Sequence, residues 1–161
     1  MEILLDELAA GFPDASQIVR LLARLSVAML LGAVIGLQRE QHGKPAGLRT
    51  HILVAMGTAL FVIAAVESGM GPEGESRVIQ GLAAGIGFIG AGAILKVGQE
   101  REIYGLTTAA GIWATAAVGV AVGLGLLGLA VLSVILIWFV LAVLRRLERR
   151  LKLPGDDGRD R

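Results

Sequence analysis

The chain has 161 residues, 55% of them hydrophobic, with 23 glycines, no cysteine and a formal net charge of +1; its mean hydropathy is +0.72. That length sets one domain, and that hydropathy lies well above a soluble globular chain. The missing cysteines exclude disulfides, thiolate nucleophiles and Cys metal sites, and the charge balance points to no nucleic-acid partner.

Residues 1–17 carry Glu2, Asp6, Glu7 and Asp14, where a signal peptide would need a basic start. They are expected to be an extracytoplasmic segment. The first apolar run covers roughly 18–37, reached by extending back through Arg24 and Arg20. A polar stretch, QREQHGKPAGLR, follows over 38–49. The second run covers about 49–66. After ESGMGPEGESR comes a third over 78–96, apolar apart from Gln80 and the terminal Lys96. Residues 106–144 then hold 39 positions without a charge, about 58 Å of helix against a hydrocarbon core of about 30 Å. One span cannot use that length. Two can, over 106–123 and 127–144, with the glycines of GLGLLG at the turn. The fold class expected is all-α, a polytopic membrane bundle of about five transmembrane helices over 18–144. The tail is 145–161; LRRLERRLK, 144–152, is expected to leave the membrane as a basic amphipathic helix against anionic lipid, and PGDDGRDR, 154–161, is expected to be disordered.

Lys and Arg set the orientation. Twelve lie in 38–49, in 96–105 and after Leu144, against Arg20, Arg24 and Arg77 on the other side. The N-terminus is therefore expected outside and the C-terminus in the cytoplasm.

Small residues at four-residue spacing are the means of close helix packing in a bilayer. Ala28, Gly32 and Gly36 stripe the first span, and Thr107, Gly111, Thr115, Gly119 and Gly123 the fourth. The third span has Gly81 and Gly85 in one pair and Ala83, Gly87 and Ala91 in another series. Small on nearly all sides, it is expected at the bundle centre. The bulky fifth span is expected at the periphery. Stripes on several faces predict a homo-oligomer, most simply a dimer, touching through span 1 at Gly32 or span 4 at Gly119.

The polar stretch 38–49 admits two readings. One is an ion-pair cluster that fixes a hairpin; the other is a polar site at the membrane surface. Glu40 continues the Gly36 register at i+4, Arg39 is beside it, and Arg49 and Thr50 open span 2 across a turn set by Pro45 and Gly47. Thr107 and Thr108 open span 4 on the same side, where free N–H groups and hydroxyls receive a carboxylate. Arg39, Glu40, Arg49, Thr50, Thr107 and Thr108 are thus the candidate polar cluster.

The strings GLQRE, GKPAGLRTHILVAMG, GIGFIGAGAIL and GLTTAAGIWATAAVG, in that order over about residues 20–140, resemble the membrane domain of the MgtC/SapB family. The motif positions include Gly36, Arg39, Glu40, Gly47, Arg49, Thr50, Gly85, Gly87, Gly90, Gly92, Gly105 to Ala109 and Trp113. The resemblance implies a bacterial inner-membrane protein of about five spans, linked to growth in low magnesium and, in some members, to survival in macrophages. Members similar to MgtC carry an ACT-like domain after the last span. Only 17 residues follow Leu144, so a short form is expected. Two functions stay open: a regulator binding other membrane proteins, and a transporter or channel for Mg²⁺ or another cation. Mg²⁺ needs oxygen ligands, yet spans 2 to 5 have no Asp or Glu inside. With no His pair at metal spacing and no Ser–His–Asp arrangement, neither an enzyme nor a cofactor is expected.

Overall fold

A computed structural model describes residues 1, 14–96 and 103–144 of the chain. Five helices carry almost all of it. α1 spans Ala15–Glu40, α2 Leu48–Glu67, α3 Gly71–Gly92, α4 Leu106–Gly123 and α5 Leu127–Phe139, the last continuing as a π turn over Val140–Leu144. Between α3 and α4, Leu95–Lys96 (β1) pairs antiparallel with Ile103–Tyr104 (β2). The amphipathic and disordered tail, and the segment before Asp14, lie outside the described residues.

Local chemistry fixes the helix ends. Asp14 caps α1: its carboxylate accepts the Gln17 N–H at 2.7 Å, while Gln17 Oε1 accepts the Asp14 N–H at 3.0 Å. This reciprocal pair satisfies two of the donors a helix start leaves open. The Gln17 N–H, followed by the Ser16 hydroxyl, holds the Asp14 carboxyl below the usual carboxylate range. α3 starts at Gly71, seven residues before the expected span, because Pro72 suits a first helical turn and Gly69 and Gly71 take φ of 71° and 69° to reverse the chain. Gly125, at φ 80°, turns α4 into α5.

α1, α2 and α4 are long and apolar enough to cross a membrane, and Leu127–Val143 is a shorter apolar helix. The apolar part of α3 begins after Arg77, leaving 15 residues to Gly92, about 22 Å. Leu30, Leu53, Phe61, Trp113, Leu132 and Trp138 are all exposed. An apolar surface that broad has lipid, not water, as its solvent.

α4 is the centre. It packs against the other four helices and buries ten of its 18 residues. The apolar core joins Ala28 and Ile35 of α1, Ala55 and Ala59 of α2, Val118 and Val122 of α4, and Ala130 and Val134 of α5. α3 is not central, contrary to the expectation from its glycines. Only Ile86 and Gly90 of its 22 residues are buried. Small residues permit close approach, but they supply little apolar area to drive it. α5 lies at the edge with its bulky side chains outward, as its composition predicts.

The glycines divide accordingly. A Cβ on Gly32 would sit 2.7 Å from the His51 carbonyl oxygen, and one on Gly36 would sit 2.7 Å from Leu48 Cα. A Cβ on Gly119 would strike Thr58 Oγ1 and the Ala55 carbonyl, and one on Gly123 would lie 2.7 Å from Val62 Cβ. The obstructing atoms at Gly32 and Gly36 are backbone, so the helices themselves would have to part. Gly32 and Gly119 are therefore used up inside the chain and are not available for the oligomer contact expected of them. Around Gly81, Gly85 and Gly87 no atom lies within 4 Å of an added Cβ. Gly36→Ala is expected to cost about 1–3 kcal/mol by overpacking, read as a lower melting temperature in mild detergent. Gly87→Ala should leave the melting temperature unchanged or slightly higher.

Candidate functional site

At the end of the bundle where α1 stops and α2 begins, the chain turns through residues 41–47. The N–H of Gln41 bonds the Leu37 carbonyl at 3.0 Å, and that of Gly43 the Glu40 carbonyl at 3.0 Å. Gly43 takes φ 65° to close the turn. Gly47 is the N-cap of α2 and has no side chain to offer. Glu40 fills that role from across the turn: its Oε2 accepts the Leu48 N–H at 2.8 Å. A carboxylate at a helix start is favoured by the open N–H groups and the dipole. A Cβ on Gly47 would sit 2.9 Å from that same oxygen, so the glycine makes room for the cap.

Beside this cap runs a buried polar seam. Gln38, Arg39, His51, Thr58, Thr108 and Thr115 are the buried polar or charged side chains among the described residues, and all lie on α1, α2 and α4. Arg39 is 4% exposed, and its Nη2 donates to Thr108 Oγ1 at 2.7 Å. His51 is fully buried, with Nδ1 2.9 Å from the Gly47 carbonyl oxygen. A carbonyl only accepts, so Nδ1 donates its proton there and the ring's other nitrogen is Nε2. That Nε2 has no hydrogen-bond partner among the described residues and lies 3.6 Å from where a Gly111 Cβ would stand. Deeper in, Thr58 Oγ1 donates to the Val54 carbonyl at 2.7 Å and Thr115 Oγ1 to the Gly111 carbonyl at 2.8 Å. These hydroxyls are satisfied by their own helices.

Of the six residues expected to gather, the structure joins Arg39 with Thr108 and ties Glu40 to the start of α2. Arg49 and Thr107 are exposed and Thr50 is half-buried. The reason is register. From Gly36 the buried track steps three residues to Arg39, not four to Glu40; from Gly111 it steps back three to Thr108, not four to Thr107. Strict four-residue steps drift about 40° around a helix, and a three-residue step restores the face. Residue spacing alone gave no sign that His51 and Gln38 are buried. Nor does spacing reveal the role of Arg24, at the opposite end of the bundle. Its Nη1 donates to the Gly123 carbonyl at 3.0 Å, satisfying one of the free acceptors at the end of α4.

Thr108→Val removes an acceptor from a buried guanidinium. It is expected to cost about 1–3 kcal/mol, seen as a lower melting temperature, while Thr107→Val and Arg49→Gln, on the surface, change it little.

Comparison with known proteins agrees with this architecture. The MgtC family profile matches residues 25–150. The chain is 46% identical over 141 residues to Protein SrpB of Synechococcus elongatus, covering 78% of this chain and 75% of that protein. It is 41% identical over 138 residues to the putative magnesium transporter YhiD of Escherichia coli K12, and 40% identical over 131 residues to Protein MgtC of Salmonella typhimurium. These matches take in 80% and 81% of this chain but only 62% and 55% of those proteins, so it spans less than two thirds of either. No solved structure matches. With a family profile over most of its length and relatives at this identity, the chain is a membrane protein that belongs to the MgtC family.

Proposed function

We propose that this chain is a non-catalytic regulator of other membrane proteins in the bacterial inner membrane, acting in the response to magnesium limitation and, in pathogens, in virulence. The observation that carries this reading is that Arg39, buried in the polar seam, bonds Thr108 and so ties α1 to α4. The seam is where buried polar groups of the described residues line up across helices. The deeper hydroxyls, Thr58 and Thr115, are committed to carbonyls of their own helices. What is left for function is the outer surface, broad and apolar, which suits contact with other membrane helices.

A second reading, passage of Mg²⁺ or another cation, is favoured by the name of the YhiD relative as a putative magnesium transporter. Both readings share one topology: the acidic N-terminus outside and the Glu40–Leu48 turn in the cytoplasm, supported by the distribution of Lys and Arg. Reporter fusions at Gly43 and Gly71 are expected to give an inside and an outside signal respectively.

The discriminating measurement is Mg²⁺ flux into proteoliposomes, beside mass spectrometry of proteins that co-purify in mild detergent. Flux no faster than in empty vesicles, with one or more membrane proteins retained specifically, is the expected result. Saturable, protein-dependent Mg²⁺ flux would replace the regulator with the transporter.

A further inference from the structure

His51 is a buried side chain whose hydrogen bonding the seam leaves half satisfied. The ring is fully buried, Nδ1 is taken up by the Gly47 carbonyl at 2.9 Å, and Nε2 finds no partner among the described residues. A ring nitrogen hydrogen-bonds in either protonation state, accepting when neutral and donating as imidazolium. Left unpaired inside the bundle, it carries the full cost of its desolvation. Nε2 faces α4 at Gly111, which is buried too. At Gly119 and Gly123, further along the same stripe, an added Cβ would run into side chains and carbonyls of α2. At Gly111 the same point has only Nε2 within 4 Å, apart from its chain neighbours and its own helix backbone. The glycine thus leaves room beside the unpaired nitrogen, enclosed between α2 and α4.

The lining selects the occupant. Gly111 lies three residues after Thr108 and four before Thr115, so both buried hydroxyls stand on its face of α4, about one turn to either side. Thr115 Oγ1 spends its hydrogen on the Gly111 carbonyl at 2.8 Å and keeps lone pairs with which to accept. A water beside Nε2 therefore has a nitrogen on α2 and a hydroxyl on α4 to bridge, and a buried water needs two to four such partners. Water also suits both states of the ring, since it donates as well as accepts. An apolar filler would leave Nε2 unpaired. For a metal ion, the described residues gather no group of three or more His, Cys, Asp or Glu.

We propose that one buried water is bound between His51 Nε2 and Gly111, bridging to the Thr115 hydroxyl and so hydrogen-bonding α2 to α4. Gly111 is then a binding position, because its lack of a side chain is what admits the water. The site complements the bond from Arg39 to Thr108, which joins α1 to α4, and it stands whether the protein regulates or transports.

The substitution Gly111→Ala separates a water site from ordinary packing. Its Cβ would meet Nε2 at 3.6 Å, an ordinary contact, and alanine is the better helix former. Packing alone therefore predicts an equal or higher melting temperature. Displacing a bound water and stranding Nε2 should instead lower it, by about 2–4 °C. Gly111→Ser brings a hydroxyl within reach of Nε2 and should return the melting temperature to that of the wild type or above. Detection can be direct, because the chain has two histidines and His42 is exposed. In the full-length His42→Gln variant, labelled with ¹⁵N-histidine and reconstituted in lipid, solid-state NMR reads His51 alone. Magnetisation transfer from water protons to Nε2 is expected, and it should be lost in the same protein carrying Gly111→Ala. The proposal is overturned if Nε2 receives no transfer from water, or if transfer survives Gly111→Ala. A melting temperature for Gly111→Ala at or above the wild type, or for Gly111→Ser no better than for Gly111→Ala, overturns it as well.

Discussion

Two guanidinium groups on one helix hold the ends of another. Arg39 reaches Thr108 in the first turn of α4, and Arg24 reaches the carbonyl of Gly123, its last residue. The two arginines are 15 positions apart on α1, and Thr108 and Gly123 are 15 apart on α4, so both intervals measure about 22 Å. The helices run antiparallel with matched lengths. A cation within a bilayer has to find oxygen or stay near the headgroups. Here both find it on the same central helix, and α4 is thereby fixed along its axis against α1.

Close backbone contact follows from that register. With α4 in place, Gly119 and Gly123 fall against α2 at Ala55, Ala59 and Val62, and on the other side of α2 Gly32 and Gly36 fall against His51 and Leu48. Sliding any of the three helices by one residue would put a Cβ into a backbone atom. The α2 start is set by the same turn, since Glu40 supplies the cap that Gly47 lacks. The three-helix unit α1–α2–α4 is therefore closed by chemistry at its ends and by glycines along its length. α3, with two buried residues, is an addition to that unit and leaves most of its surface open.

Much of this was legible in the sequence. Charge-free length located four of the five helices to within a few residues, and the bulk of Trp138, Phe139 and their neighbours placed α5 at the edge. The small-residue stripes of α1 and α4 do mark their packed faces. The errors have one physical root each. Four-residue stepping predicted Glu40 and Thr107 where the buried track turns by three residues to Arg39 and Thr108. Glycine content placed α3 at the centre, although apolar area, which glycine lacks, decides what is buried. Arg24 could not be placed because its partner, the Gly123 carbonyl, is distant in sequence and has no polar side chain to announce the contact, and His51 because the α4 backbone at Gly111 that packs near its ring is equally distant.

The clamp is tested most directly by a double-mutant cycle on Arg39 and Thr108, with stability measured by reversible unfolding in mild detergent for Arg39→Gln, Thr108→Val and the pair together. If the two side chains act as one buried unit, the double variant should lose less stability than the two single losses added, with a coupling of about 1–3 kcal/mol. Losses that simply add, within about 0.5 kcal/mol, would mean that Arg39 and Thr108 contribute separately and that α1 does not hold α4 in this way.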